Sequence, residues 1–155
     1  GHLVLSTLHT NDAVSTVMRL VNMGIEPYLI TEAVSLVVAQ RLARKICKNC
    51  KVEDKSVTHA ELKSIGLTDK IKLYKGKGCS ECGQTGSKGR KGIYEVLGLD
   101  ADFIKGVLGK KSNAELLAIA KKSEFKTMRD KGKKMVTLGE ISLKELNRIL
   151  APESE

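Results

Sequence analysis

The chain has 155 residues, 41% of them hydrophobic, enough for one domain or one domain plus a small module. With three Tyr, two Phe and no Trp the core must be aliphatic, which suits helices better than an aromatic-rich β-sandwich. The net charge of +9 is carried by scattered lysines, with short clusters at Lys110-Lys111, Lys121-Lys122 and Lys131 to Lys134; no run is long enough for a basic arm, no apolar stretch is long enough to cross a bilayer, and no signal-peptide pattern opens the chain.

Residues 2 to 8 read as a strand already in progress, as if cut from a larger protein. His9-Thr10-Asn11-Asp12 ends it, and Asn11 or Asp12 suits a helix cap. Val14, Val17, Met18 and Val21 then recur on one helical face, with Gly24 as a stop. Pro27 opens a second expected helix that runs through Leu29, Ile30, Ala33, Val34, Val37 and Val38 to Leu42, with Arg41, Arg44 and Lys45 at the end the dipole favours for cations. The segment Cys47 to Cys82 is polar and loop-like. Inside it, Thr58-His59-Ala60-Glu61 is a capping box before a two-turn helix that Gly66 closes, and Ile71, Leu73 and Tyr74 suggest a short strand leading into Gly76-Lys77-Gly78. Four glycines fall between residues 83 and 92, Ile93 to Leu99 reads as a strand, and the chain is helical from Asp100 onward. Ser112 with Glu115 and Ser142 with Glu145 are further capping boxes, and residues 151–155 read as a frayed tail.

All four cysteines fall in two CxxC pairs, Cys47/Cys50 and Cys79/Cys82. Each CxxC turn aims two sulfurs at one point, and two turns supply a tetrahedral set for one Zn2+. Gly83 permits a positive φ that lets backbone N–H groups approach the thiolates. Disulfides would need an oxidising compartment, and a redox CxxC would need only one pair. An iron–sulfur cluster is the closest rival, since four cysteines can ligate either. The two-by-two spacing with no further cysteine favours zinc. Lys45, Lys48, Lys51 and Lys77 would offset the formal −2 of the tetrathiolate site. Four sulfur ligands leave no position for water, so the ion would be a staple rather than a catalyst. Its binding would supply folding energy on the order of 10 kcal/mol to a segment with few apolar residues.

Taken alone, His9 is a polar loop residue between a strand and a helix cap. In context, Gly1-His2-Leu3-Val4-Leu5-Ser6-Thr7-Leu8-His9-Thr10-Asn11-Asp12-Ala13 resembles the histidine box of secretion ATPases. Val38-Ala39-Gln40-Arg41-Leu42, the two CxxC pairs, the stretch from Gly86 through Ile93-Tyr94-Glu95, and Met128-Arg129-Asp130 follow in that family's order, so the resemblance covers almost the whole chain. It is to the assembly motors of type IV pili and type II secretion, the branch with a tetracysteine zinc module; the retraction motors lack it. The segment Leu73 to Cys79 is slightly closer to the pilus branch.

The resemblance implies a homohexameric ATPase of the RecA-like P-loop fold, which uses ATP and Mg2+. It implies a cytoplasmic location at the inner membrane, reached through an integral platform protein, with no direct membrane insertion and no nucleic-acid partner. By the same likeness His9 is the catalytic candidate, beside the γ-phosphate, with Thr7 and Thr10 orienting it. Arg41 either faces the nucleotide or a neighbouring subunit, or simply completes a helix C-terminus. The chain departs from the whole-family pattern in one respect: it has no GxxxxGK[ST], because Gly86-Ser87-Lys88-Gly89 has the wrong spacing and ending, and it lacks the acidic Mg2+-binding strand.

The expected fold class is therefore an α/β fragment, mainly helical: the C-terminal part of a RecA-like domain with an inserted zinc module. Residues 1–46 would be partial ATPase core, 47–82 the tetracysteine module, 83–150 a glycine-rich loop, a strand and C-terminal helices, and 151–155 a tail. Such a fragment should neither hydrolyse ATP nor hold it tightly. Strand 2–8, without its sheet partners, should be disordered or paired in a non-native way. A rival reading is a zinc-ribbon nucleic-acid-binding module, and a third is a protein-interaction scaffold.

Overall fold

The computed structural model describes residues 2–68 and 71–151. The chain forms two compact units, Gly1–Gln40 with Tyr94–Thr127, and Arg41–Ile93 with Met128–Glu155.

In the first unit, residues 2–10 adopt neither helix nor strand, and Leu3, Val4 and Leu5 lie exposed. The strand expected at 2–8 does not form: among the described residues no neighbouring strand offers its backbone groups partners. Helix α1 (Ala13–Asn22) starts at Asp12, whose carboxylate accepts from the Ser15 N–H at 2.7 Å, and Gly24 beyond its end adopts φ 86°. Its buried face is Ala13, Val14 and Val17. Helix α2 (Pro27–Ala33) is shorter than expected.

Residues 36–46 are not the rest of that helix but strand β1 (Leu36–Ile46). The burial decides it, because Val37, Ala39 and Ala43 are buried while Leu36, Val38, Gln40 and Leu42 are exposed, a period of two. The β-branched pair Val37-Val38 also favours the pleat over a helix. Within this unit Ile30, Val37, Ala39, Leu97 and the fully buried Phe103 belong to the core. Helices α4 (Ala101–Leu108) and α5 (Asn113–Ala120) pack through Gly106, where a Cβ would run into Leu116 and Ile119.

In the second unit a short strand β2 (Lys51–Glu53) pairs antiparallel with β3 (Tyr74–Gly76), placing Lys51 opposite Gly76 and Glu53 opposite Tyr74. Between them lies α3 (His59–Ser64), with both halves of the Thr58–Glu61 capping box made and Gly66 at φ 68°. Strand β4 (Ser87–Gly98) starts earlier than expected and pairs with β1. Helix α6 (Met128–Thr137) buries Met128, Gly132, Met135 and Val136, and Gly132 lets it close on Leu146 of α7 (Leu143–Leu150). Ile46, Ile93, Val136, Ile141 and Leu146 are buried here.

The α7 capping box forms only by half. Ser142 accepts from the Glu145 N–H, but the Glu145 carboxylate turns away to Arg44 and Arg148. Most of the tail expected at 151–155 lies outside the described residues.

Candidate metal centre

The cysteine pairs sit on two single 3₁₀ turns, Lys48–Cys50 and Ser80–Cys82, each starting directly after a cysteine. The β2–β3 hairpin brings the turns together: Lys77 N–H donates to the Cys50 carbonyl at 3.0 Å, and Cys47 N–H donates to the Gly86 carbonyl at 2.9 Å. All four Sγ atoms lie within 4.8 Å of one another. The Cys47–Cys79 and Cys50–Cys82 pairs are 3.9 Å apart and Cys79–Cys82 3.7 Å. A tetrahedron with metal–sulfur bonds of about 2.3 Å has edges of about 3.8 Å, so the sulfurs are spaced for one ion. A multi-iron cluster would interpose several metal atoms and hold the thiolates further apart, which disfavours the iron–sulfur alternative.

Backbone donors surround the sulfurs. Gly78 N–H points to Cys50 Sγ at 3.3 Å, Cys79 N–H to Cys82 Sγ at 3.3 Å and Gly86 N–H to Cys82 Sγ at 3.2 Å. Gly83 adopts φ 56° as its position predicts, but its own N–H goes to the Ser80 carbonyl; the turn delivers Gly86 to the sulfur instead. The thiols differ accordingly. Burial pushes Cys50 up, and burial with the Cys82 and Cys47 thiols pushes Cys79 up to about 11. Burial also opposes ionisation of Cys82, but the N–H groups of Cys79 and Gly86 outweigh it and bring that thiol down to about 6. Cys47 is buried and the other three are half-buried.

An open cavity of about 700 Å³ adjoins Cys47, and Lys45, Lys48 and Lys51 line it. Of the four lysines expected to balance the site, Lys77 lies outside this lining, while Lys88 and Lys91 join it. Lys51 stands 4.5 Å over the Tyr74 ring, and Lys88 and Lys91 pair with Glu81 at 2.8 Å and Glu140 at 2.7 Å.

Residues 1–148 match the family of Type II/IV secretion system proteins. The chain belongs to that family. It is 41% identical over 150 residues to the type IV pilus assembly ATPase PilB of Thermus thermophilus, covering 94% of this chain and 17% of that relative. It is 41% identical over 157 residues to PilB of Myxococcus xanthus, covering 99% of this chain and 28% of the relative. The type II secretion system protein E of Pseudomonas aeruginosa is 37% identical over 155 residues, covering 99% of this chain and 30% of the relative. The chain therefore spans less than a third of the length of each of these relatives. No helix among the described residues is long and apolar enough to cross a membrane.

In this family member His9 and Thr7 are exposed, and Thr10 is half-buried. The Thr10 hydroxyl lies 2.6 Å from the Thr16 hydroxyl on α1, so it is directed to the helix start rather than to His9. Arg41 lies within β1, which removes the reading in which it completes a helix C-terminus. His9 and Arg41 belong to different compact units.

Two carboxylates are buried on partners that the sequence did not reveal. Glu95 accepts from the Ala13 N–H at 2.8 Å, fixing the start of α1 just beyond the loop that carries His9. Glu145 accepts from Arg44 and Arg148. The Glu95–Ala13 and Glu145–Arg44 pairings cross 82 and 101 residues, whereas Arg148 lies only three residues from Glu145.

Proposed function

We propose that this chain is the C-terminal part of the motor domain of an ATPase that drives type IV pilus assembly or type II secretion, with Cys47, Cys50, Cys79 and Cys82 holding one structural Zn2+. The observation that carries the reading is the four-sulfur tetrad at tetrahedral spacing, in a chain that matches the family over residues 1–148. Bound zinc would cross-link the two turns and, with four sulfur ligands, activate no water.

In this reading residues 1–46 contribute to a RecA-like core, 47–82 are the zinc module and 83–150 the strand and helices that complete the C-terminal region. The whole motor is a homohexamer in the cytoplasm that works on an inner-membrane platform protein. ATP and Mg2+ belong to the longer protein, because this sequence carries neither a Walker A nor a Walker B segment, and the chain alone is inactive. His9, exposed in the loop before α1, would aim an imidazole N–H at a γ-phosphate oxygen, where negative charge gathers in the loose transition state. Thr10 would help by fixing the loop to α1, Thr7 by lining the same approach. Arg41 would offer its guanidinium to the nucleotide or to a neighbouring subunit.

Two measurements test this. Metal analysis by mass spectrometry should find one zinc per chain, and none in Cys79→Ser. ATPase assays after joining the chain to its upstream half should show activity that His9→Ala lowers by about 100-fold or more, as loss of a transition-state donor does. A metal-free wild-type chain would refute the first half, and full activity of His9→Ala the second. The lysine-lined cavity favours one other reading, a nucleic-acid-binding zinc ribbon. That reading requires a salt-dependent shift with DNA or RNA at physiological ionic strength.

A further inference from the structure

Gly86 touches both halves of the cysteine tetrad. Its N–H donates to Cys82 Sγ at 3.2 Å, and its carbonyl accepts from the Cys47 N–H at 2.9 Å. One peptide segment thus orients a ligand from each CxxC pair. What holds that segment there is a second glycine. A Cβ on Gly76 would overlap the Gly86 carbonyl group and Cα, and a Cβ on Gly86 would overlap the Gly76 carbonyl. The two backbones meet face to face, at a separation no side chain on either residue allows. Gly86 also needs the left-handed region, at φ 72°, whereas Gly76 does not. Gly76 is the last residue of β3 and lies opposite Lys51, the residue that follows Cys50, so the contact joins the strand beside one CxxC turn to the loop after the other.

We propose that the Gly76–Gly86 backbone contact is a positioning device of the metal centre: it sets the peptide that orients Cys82 and Cys47 toward one ion. This rests on the zinc reading above. Outer hydrogen-bond partners of metal ligands commonly change metal affinity by about 10–100-fold when altered. Gly76 and Gly86 act through backbone atoms, so the effect here comes through added bulk and not through loss of a side chain.

The test uses the whole chain and four single substitutions. Gly76→Ala adds bulk at the contact with no positive-φ penalty. Gly86→Ala adds bulk and strain. Gly83→Ala, at φ 56° with open space around it, adds strain alone. Gly98→Ala, with nothing within 4 Å and no positive φ, is the control. Zinc release to a chromogenic chelator should speed up about 10–100-fold in Gly76→Ala and Gly86→Ala, less in Gly83→Ala, and not at all in Gly98→Ala.

With cobalt in place of zinc, losing the N–H donor to Cys82 should move the sulfur-to-cobalt charge-transfer band to longer wavelength in Gly76→Ala and Gly86→Ala. General destabilisation would not move that band. In case these variants do not fold, the wild-type chain loaded with ¹¹³Cd gives an independent readout, a through-hydrogen-bond coupling from the metal to the Gly86 amide proton. Wild type holding one zinc, with release and band unchanged in Gly76→Ala and Gly86→Ala or with no cadmium coupling at Gly86, would overturn the inference while leaving the zinc reading intact. A wild-type chain that takes up no metal would overturn both.

Discussion

Replacing Glu145 by glutamine removes the charge from a carboxylate that is 5% exposed and accepts five hydrogen bonds. The donors are the Arg44 backbone N–H, Nε and Nη2, and the Arg148 Nε and Nη2, at 2.7 to 3.1 Å. Burial alone would raise this carboxyl above its ordinary 4.5, but the bonds from Arg148 and Arg44 outweigh it and hold it at about 2. At 1.36 kcal/mol per pH unit, the gap sets a ceiling of roughly 3 kcal/mol on the stability linked to ionisation. The arginine side chains are 54% and 52% exposed, so water screens part of that attraction, and about 2 kcal/mol is a realistic figure.

The sign follows from the depressed folded value. The contribution is fully present above about pH 4.5 and is lost as pH falls toward about 2. Urea unfolding followed by far-ultraviolet circular dichroism, on wild type and Glu145→Gln side by side, isolates it, because acid release of any metal is common to both chains. The stability difference should be about 2 kcal/mol at pH 6 to 7, shrink below pH 4.5 and nearly vanish near pH 2. A difference under about 0.5 kcal/mol at neutral pH, or one that does not change with pH, would refute this account of how Glu145 ties α7 to β1.

Gly132→Ala gains helix propensity but drives a Cβ into the fully buried Leu146; thermal unfolding should show a net loss of about 1–2 kcal/mol, where an exposed helical glycine would show a gain. Asp12→Ala removes the cap of α1 and should cost about 1 kcal/mol, read as a lower denaturation midpoint with an unchanged slope. Chelation at neutral pH should abolish amide protection in residues 47–53 and 74–86 ahead of the rest, as followed by hydrogen exchange.

The sequence showed most clearly what depends on near neighbours. The capping boxes at Thr58 and Ser112 needed only four residues each, and both form in full. The cysteine tetrad was legible because each CxxC turn is local and no fifth cysteine competes. At Ser142 the same four-residue rule succeeded only by half, because Arg148 and Arg44, the latter 101 residues from Glu145, take the Glu145 carboxylate. The misread helix at 34–42 has a different cause. Leu36, Val38 and Leu42 are apolar yet exposed, so both faces of β1 carry apolar side chains and the strand's alternation is hidden. The glycines at 76 and 86 could be recognised as turn residues, but nothing local revealed that they meet. His9 became a candidate through resemblance alone, since a histidine in a polar loop has no chemical signature of its own.

The metal centre also bears on the larger sheet. Cys47 directly follows β1, which ends at Ile46, and Gly86 directly precedes β4, which begins at Ser87. The 2.9 Å bond from Cys47 N–H to the Gly86 carbonyl therefore continues the β1–β4 pairing straight into the sulfur cluster. Between these points, among the described residues, the fully or nearly buried aliphatic side chains are Leu62, Ile65 and Leu73. Three such side chains cannot offset the entropy of ordering a loop that long. Without a cross-link among the thiols, the loop would pull on the end of the strand pair instead of closing it. In the zinc reading, a metal held by the four sulfurs would convert that loose end into a fixed one where the module leaves the sheet.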